Sequence, residues 1–323
     1  MKKFIKNISL FLFLFILLLV GIFYINNGSF TIDFRRFIES FFIKKVEYFS
    51  DFIDKGDSIN LILGSSLVED SIIPDSLGTK WFSFTNEAQN IYESYKFINY
   101  YKDSVKIDTI IIGIQPFDFP ISYVKNRNNN KPHLNGNFHI FGRDSITILK
   151  EKFLLRNLQV IKRENYLKIE KIITKIKSSN REDAMTRQGF SGRIYSKPID
   201  LDSLYLNDPI KFKNHKKYYV NIKTPPNIFY FDLFNSLTQS LDIDVIYLIT
   251  PKSKYYLSGM KEMNYDKIWN DILDSLETKP IELWDYESMI TDTFDFHYYF
   301  EETHSSYNGA KAFTKIIKNR LLK

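Results

Sequence analysis

Two short segments near opposite ends of the sequence carry residue types that could together perform acyl transfer. The first is Gly64-Ser65-Ser66, which follows the apolar run Ile59 to Leu63. That run has the length and composition of a buried parallel strand, so the serines are expected at its carboxyl end, where open α/β sheets bind ligands. Glycine lets the chain turn sharply there, and a serine in such a turn can attack a carbonyl while backbone amides face the oxyanion. This turn is therefore a candidate nucleophile site.

The second segment holds a histidine preceded by two carboxylates. Glu301 and Glu302 come before His304, and Asn308-Gly309-Ala310 follows it at the start of an amphipathic stretch. A carboxylate three residues before a histidine can accept a hydrogen bond from imidazole Nδ1, which leaves Nε2 as a base. The spacing predicts half of a hydrolytic triad, with Glu301 as the acid and Glu302 as its rival.

Alternating strands and helices must bring these segments together. Five apolar runs are flanked by polar or turn residues and are too short for helices. They are Ile59–Leu63, Trp81–Phe84, Thr109–Ile114, Val245–Ile249 and Ile281–Trp284. Helical spacing of apolar residues marks four further segments. These are Ile91–Tyr101, Ile228–Leu241, Ile268–Leu276 and Gly309–Leu322. The alternation predicts an α/β fold with three layers, α/β/α, around a central parallel sheet of about five strands.

The N-terminus has the pattern of a membrane anchor. Ile8 to Ile25 is a run of eighteen residues without a charge, preceded by Lys2, Lys3 and Lys6. Such a run can span most of a bilayer, and the lysines favour a cytoplasmic N-terminus with the rest of the chain outside, periplasmic or at the cell surface. A cleaved signal peptide is the alternative, but its apolar region would be shorter and would end in a small-x-small site.

The sequence after this anchor divides into a neck and one large domain. We predict a cytoplasmic tip and transmembrane helix over 1–28, an amphipathic helical neck over 29–57, and the α/β domain over 58–323. Residues 118–227 break the alternation of strands and helices, so we interpret them as an insertion between the third and fourth strands.

Composition narrows the chemistry further. The chain contains no cysteine, which excludes disulfides, a thiolate nucleophile, Cys-ligated zinc and a lipoprotein anchor. Its net charge of +6 is mild, and no basic recognition helix is present, so a nucleic-acid partner is not expected. No metal site or cofactor is predicted.

Three motifs in this order resemble the SGNH, or GDSL-type, hydrolase family. The first strand ends in Gly-x-Ser, the third runs into a Pro-Phe-Asp turn within Ile110–Asp118, and an acid-x-x-His-x-x-x-x-Gly-Ala pattern precedes the last helix. The resemblance covers about Leu61 to Leu322, with the insertion unmatched, and implies a flavodoxin-like sheet. More narrowly, the chain resembles membrane-anchored members associated with acylation of cell-surface polysaccharide and teichoic acid.

The resemblance implies roles for individual residues. Ser66 matches the family nucleophile and His304 the general base, while Glu301 stands where the family usually has aspartate. Four residues would form the oxyanion and substrate-binding part of the site. They are Ser65, Asn86, Gly113 and Gln115. The third block lacks the family's Gly-x-Asn-Asp, so Gly113 and Gln115 are all that it offers.

The implied function is an extracytoplasmic serine esterase or O-acyltransferase, with an O-acetyl group on a cell-surface or extracellular polysaccharide as its substrate. Hydrolysis and transfer stay open, because the choice depends on whether the cleft excludes water. The alternative is a catalytically inactive SGNH-like module that binds glycan or a partner in a polysaccharide export or modification complex. The replacement of aspartate by Glu301 and the altered third block favour that alternative, since folds outlast their chemistries.

Overall fold

The computed structural model describes a large part of the chain with gaps. The described residues are Phe15 and the ranges 44–54, 58–87, 89–119, 185–191, 228–262, 264–289 and 304–323. The backbone divides into two compact units, Met1–Lys44 and Lys45–Lys323. The predicted anchor, apart from Phe15, and most of the predicted insertion lie outside the described residues. Among the helices that are described, none combines the length and apolarity needed to cross a bilayer.

Five parallel strands form the central sheet of the second unit. They are β1 (Ile59–Leu63), β2 (Trp81–Ser83), β3 (Ile107–Gly113), β4 (Asp244–Ile249) and β5 (Glu282–Asp285). Their order across the sheet is β2-β1-β3-β4-β5, and every neighbouring pair is parallel. The predicted parallel sheet is therefore confirmed. The carboxyl ends of all five strands lie at one edge of the sheet, which is where open α/β sheets bind ligands.

The helices among the described residues precede, connect and follow these strands. They are α1 (44–53), α2 (Ser66–Glu69), α3 (Pro74–Leu77), α4 (Ile91–Tyr101), α5 (Phe229–Ser240), α6 (Lys254–Glu262), α7 (Tyr265–Glu277) and α8 (Tyr307–Leu321), with a 3₁₀ turn at Pro116–Asp118. The start of α4 is fixed by a capping box, in which Asn90 and Glu93 each accept a hydrogen bond from the other's backbone N–H.

The helices pack on both faces of the sheet. Two successive residues of β4 show this, since side chains of adjacent strand residues point to opposite faces. Leu248 belongs to an apolar cluster with Phe313 and Ile317 of α8. Tyr247 instead contacts Phe231 of α5, with ring centroids 4.6 Å apart. The arrangement is consistent with a three-layer α/β fold.

Part of the segment predicted as a neck contributes to the core. Phe49 and Phe52 of α1 are buried, and the Phe49 ring lies 5.1 Å from that of Phe82 in β2 and 5.2 Å from that of Phe97 in α4. The packed core of the second unit therefore includes α1.

A short piece of the predicted insertion covers the edge strand β2. The Ser83 N–H donates to the Gln188 carbonyl at 2.8 Å, and Gln188 Nε2 donates to the Trp81 carbonyl at 2.7 Å. Gly189 has φ +80°, and a Cβ there would lie 2.4 Å from the Ser83 carbonyl oxygen, so glycine permits this close approach. The contact satisfies backbone groups that an edge strand would otherwise expose.

Candidate active site

The turn after β1 has the geometry that its glycine predicts. Gly64 has φ +123°, a region that side chains disfavour, and a Cβ there would lie 3.1 Å from the Gly113 carbonyl oxygen of β3. Ser65 caps α2 by accepting a hydrogen bond from the Leu67 N–H at 3.4 Å. The turn thus places Ser66 at the first position of α2, half-buried, at the carboxyl edge of the sheet.

Ser66 and His304 meet across this edge. Ser66 Oγ lies 2.9 Å from His304 Nε2, although the two residues are 238 positions apart in sequence. His304 precedes α8, whose first turn is capped by Ser306, which accepts from the Gly309 N–H at 3.2 Å. A hydroxyl at this distance from an imidazole nitrogen can give up its proton as it attacks an electrophile.

The acid of the predicted triad cannot be placed in this geometry. Glu301 and its rival Glu302 both lie outside the described residues. The assignment of either one to imidazole Nδ1 stays a prediction.

Gln115 connects the end of β3 to the nucleophile turn. Its Nε2 donates to Ser65 Oγ at 2.7 Å, and its backbone N–H donates to the Asp118 carboxylate at 2.8 Å. Asp118 thereby stabilises the 3₁₀ turn, as expected of a turn residue. Gln115 is buried, and its Oε1 has no hydrogen-bond partner among the described residues. Ser65 and Gln115 therefore support each other beside Ser66.

Asn86 supplies a buried donor next to the same turn. Its backbone N–H donates to the Gly64 carbonyl at 3.1 Å, and only 3% of the residue is exposed. Within the described part of the chain, its Nδ2 has no hydrogen-bond partner. Leaving a buried donor unpaired costs about 1–3 kcal/mol. A site can retain such a group because it becomes paired when an oxyanion forms.

Gly113 has a packing role in addition to any contact with substrate. A Cβ at Gly113 would lie 1.8 Å from Val68 Cγ2, which is buried in α2. The missing side chain lets α2 pack directly on β3. The position of Ser66, two residues before Val68, depends on this close packing.

Sequence reasoning missed two neighbouring charges at the carboxyl ends of β4 and β5, the buried Lys252 and the half-buried Glu287. Burial lowers the pKa of Lys252 to about 8, against the opposing effect of Glu287 and Asp118. Burial likewise raises the pKa of Glu287 to about 7 and that of Asp118 well above its usual range. The only sequence signal was that Lys252 and Glu287 each follow a strand closely.

A second missed feature is a buried ion pair that holds α2. Lys45 Nζ of α1 lies 2.8 Å from Glu69 Oε1 and donates to the Thr85 carbonyl at 2.6 Å. Lys45 and Glu69 are both 1% exposed. Ser191, from the predicted insertion, also bonds to the Glu69 carboxylate. The pair ties α1 to the helix that begins with Ser66.

No protein-family model matches the chain, and none of the curated proteins gives a significant match. In the described ranges, no group of three or more histidines or acidic residues could hold a metal ion. The groups from which a function can be inferred are the serine, the histidine and the two buried amides beside them.

Proposed function

We propose that this protein is a serine esterase or O-acyltransferase in which Ser66 is the nucleophile and His304 the general base. The observation that carries the proposal is the 2.9 Å separation of Ser66 Oγ and His304 Nε2. This distance falls within the hydrogen-bond reach that an activated serine requires. Both residues also lie in sequence motifs, Gly64-Ser65-Ser66 and the acid-x-x-His of Glu301 to His304, whose residue types suit acyl transfer.

The geometry supports a two-step acyl transfer. Nε2 of His304 accepts the proton as Ser66 Oγ attacks an ester carbonyl, and the imidazolium then protonates the leaving alkoxide. This leaves the acyl group on Ser66. Water or a sugar hydroxyl next attacks the acyl-enzyme and gives its proton to His304. The imidazolium then returns a proton to Ser66 Oγ as the bond between Oγ and the acyl group breaks. Glu301 would stabilise the imidazolium in both steps.

Asn86 Nδ2 and the Ser66 N–H are the proposed oxyanion donors. The Asn86 donor has no partner in the described part of the chain, and the Ser66 N–H belongs to a first helical turn, which has no intrahelical acceptor. Gln115 is proposed to position the nucleophile turn, because its Nε2 is bonded to Ser65. An oxyanion donor supplies on the order of 3 kcal/mol of barrier lowering.

Membership of the SGNH hydrolases and a position outside the cytoplasm belong to the same proposal. The order β2-β1-β3-β4-β5 is that of flavodoxin-like sheets, which supports the resemblance. The uncharged run Ile8 to Ile25 supports a single N-terminal transmembrane helix, with the catalytic domain outside. An ester on a surface or extracellular polysaccharide, most simply an O-acetyl group, would be the substrate available there.

Covalent labelling tests the proposal. The full chain, purified in detergent, is treated with a fluorophosphonate probe and assayed with a chromogenic acetyl ester. We expect the probe on Ser66, located by mass spectrometry, and losses of about 10³-fold or more in Ser66→Ala and His304→Gln. Ser275→Ala, at a half-buried serine of α7 that bonds within its own helix, is the matched control and should retain full activity.

The same assay separates the remaining functions. If the folded wild-type chain neither takes the label nor hydrolyses the ester, the enzyme proposal fails and a glycan- or partner-binding module replaces it. If it is active, release of acetate into water indicates an esterase. Transfer of the acetyl group to an added oligosaccharide indicates an acyltransferase.

A further inference from the structure

A directed chain of hydrogen bonds connects the residue after His304 with the residue after Ser66. Ser71 Oγ donates to the Leu67 carbonyl at 2.5 Å, and Ser305 Oγ lies 3.1 Å from Ser71 Oγ. A serine hydroxyl carries a single proton. Because the Ser71 proton goes to Leu67, Ser305 must be the donor to Ser71. The chain therefore runs from Ser305 through Ser71 to the backbone of α2.

These hydroxyls lie where water cannot replace them easily. Ser71 is 1% exposed and Ser305 is 2% exposed. Removal of one hydroxyl leaves the other partner buried with an unsatisfied group, so the bridge is maintained in preference to alternative arrangements.

The proposed reaction requires Ser66 and His304 to keep a fixed distance and orientation, and this bridge lies where it can maintain them. A nucleophile and its base must be held within about 0.5 Å of the productive geometry. Ser66 is fixed by the turn after β1, whereas His304 comes from the far end of the chain and precedes α8. We propose that Ser71 and Ser305 are positioning residues that fix His304 against Ser66. This inference rests on the proposed function, and neither residue is assigned a contact with substrate.

A second bridge between the same two regions provides an internal control. The Ile73 N–H donates to Thr314 Oγ1 at 2.9 Å, and Thr314 Oγ1 donates to the Ala310 carbonyl at 2.6 Å. This bridge is also buried, but it enters α8 at Thr314, nine residues after Ser305. It should contribute to stability with little influence on the reacting atoms.

The test compares these bridges in the full chain. Ser71→Ala, Ser305→Ala and the double variant are expected to react with the fluorophosphonate about tenfold more slowly than wild type. Their KM for the chromogenic ester should stay within about twofold, because the bridge aligns the base and not the substrate. The double variant should be no slower than the slower single variant, since both substitutions break one bridge.

Two further variants separate positioning from general stability. Thr314→Val should lower the unfolding midpoint about as much as Ser71→Ala and Ser305→Ala do. Its rate of reaction with the fluorophosphonate should stay within about twofold of wild type. Ser305→Thr keeps the hydroxyl and should recover most of the rate. Wild-type rates in Ser71→Ala and Ser305→Ala would overturn the inference, as would an equal slowing in Thr314→Val.

A spectroscopic measurement keeps this test distinct from that of the proposed function. The imidazole ¹⁵N signals of His304 are assigned in the full chain by comparison with His304→Gln. Ser305→Ala should change the Nε2 signal and Thr314→Val should not. If even the wild-type chain fails to react with the probe, the proposed function fails, and the ¹⁵N signals still decide whether the bridge positions His304. An unchanged Nε2 signal in Ser305→Ala would then refute it.

Discussion

Gly113→Ala should damage both stability and reactivity through one atomic clash. The added Cβ would lie 1.8 Å from Val68 Cγ2, about half of an ordinary carbon–carbon contact distance. Either Val68 rotates against its neighbours or α2 moves away from β3. Overpacking of this kind costs about 1–3 kcal/mol. If α2 moves by even about 0.5 Å, the bond between Ser66 and His304 loses its alignment, so the rate of acylation should also fall.

The matched variant Val68→Ala removes the atom that clashes. By itself it should cost about 1.5–3 kcal/mol, because Val68 is fully buried. In Gly113→Ala/Val68→Ala the nearest remaining contact is the Cβ of residue 68, at 3.1 Å, which needs an adjustment of only a few tenths of an ångström. The double variant should therefore be more stable than the sum of the single changes predicts, by about 1 kcal/mol or more.

Urea unfolding gives the stabilities, and the rate of fluorophosphonate labelling reports the alignment of Ser66. We expect labelling to slow in Gly113→Ala and to recover in the double variant. A Gly113→Ala chain with wild-type stability and labelling would show that α2 is not held by this contact. Strict additivity in the double variant would show that the two positions do not meet.

Three other perturbations probe the remaining parts of the site. Asn86→Ala should slow acylation of Ser66 by about 100-fold, measured as kcat/KM with the chromogenic ester, and a wild-type value would remove Asn86 from the oxyanion role. Burial raises the pKa of Glu287 to about 7 from an ordinary 4.5, so the folded chain holds a proton that the unfolded chain has released between those values. The free energy of unfolding contributed by Glu287 therefore falls as pH rises from about 4.5 to about 7. When this free energy is measured by urea unfolding at several pH values, it should fall less steeply with pH in Glu287→Gln than in wild type. The pH dependence that Asp118 contributes should remain. Lys45→Met should destabilise the chain by about 3–5 kcal/mol because Glu69 loses its cation. Adding Glu69→Gln to that variant should restore most of the lost stability. If stability is not restored, the packing of the Lys45 side chain and not its charge accounts for the loss.

Local patterns explain why the sheet and the longer helices could be predicted. Each strand is a short apolar run between polar residues, and the bounds predicted for α4 match because its capping box marks the first turn. Helices α2 and α3 have four residues each, too few to show a helical period. Helix α6 has only nine residues and includes Gly259, a residue type that disfavours helix interiors.

Some residues of the candidate site could also be predicted from the sequence, and others could not. Ser66 and His304 could be found because each lies in a motif whose local spacing indicates its chemistry. Lys45 could not, since a lysine ahead of an amphipathic stretch predicts a solvated charge and its partner Glu69 is 24 positions away. Ser71 and Ser305 are separated by 234 positions, and neither shows any local pattern that indicates a partner.

These long-range contacts matter because the unpaired groups of the site work against stability. Asn86 Nδ2 and Gln115 Oε1 are buried without partners in the described part of the chain, and burial disfavours the charge on Lys252. Groups of this kind persist only where surrounding structure holds them in place. The aromatic packing of α1 on β2, the Lys45–Glu69 pair and the bridge between Ser71 and Ser305 provide that support. Substitutions in these supports should therefore reduce reactivity before they unfold the chain, because the turn that carries Ser66 depends on all of them.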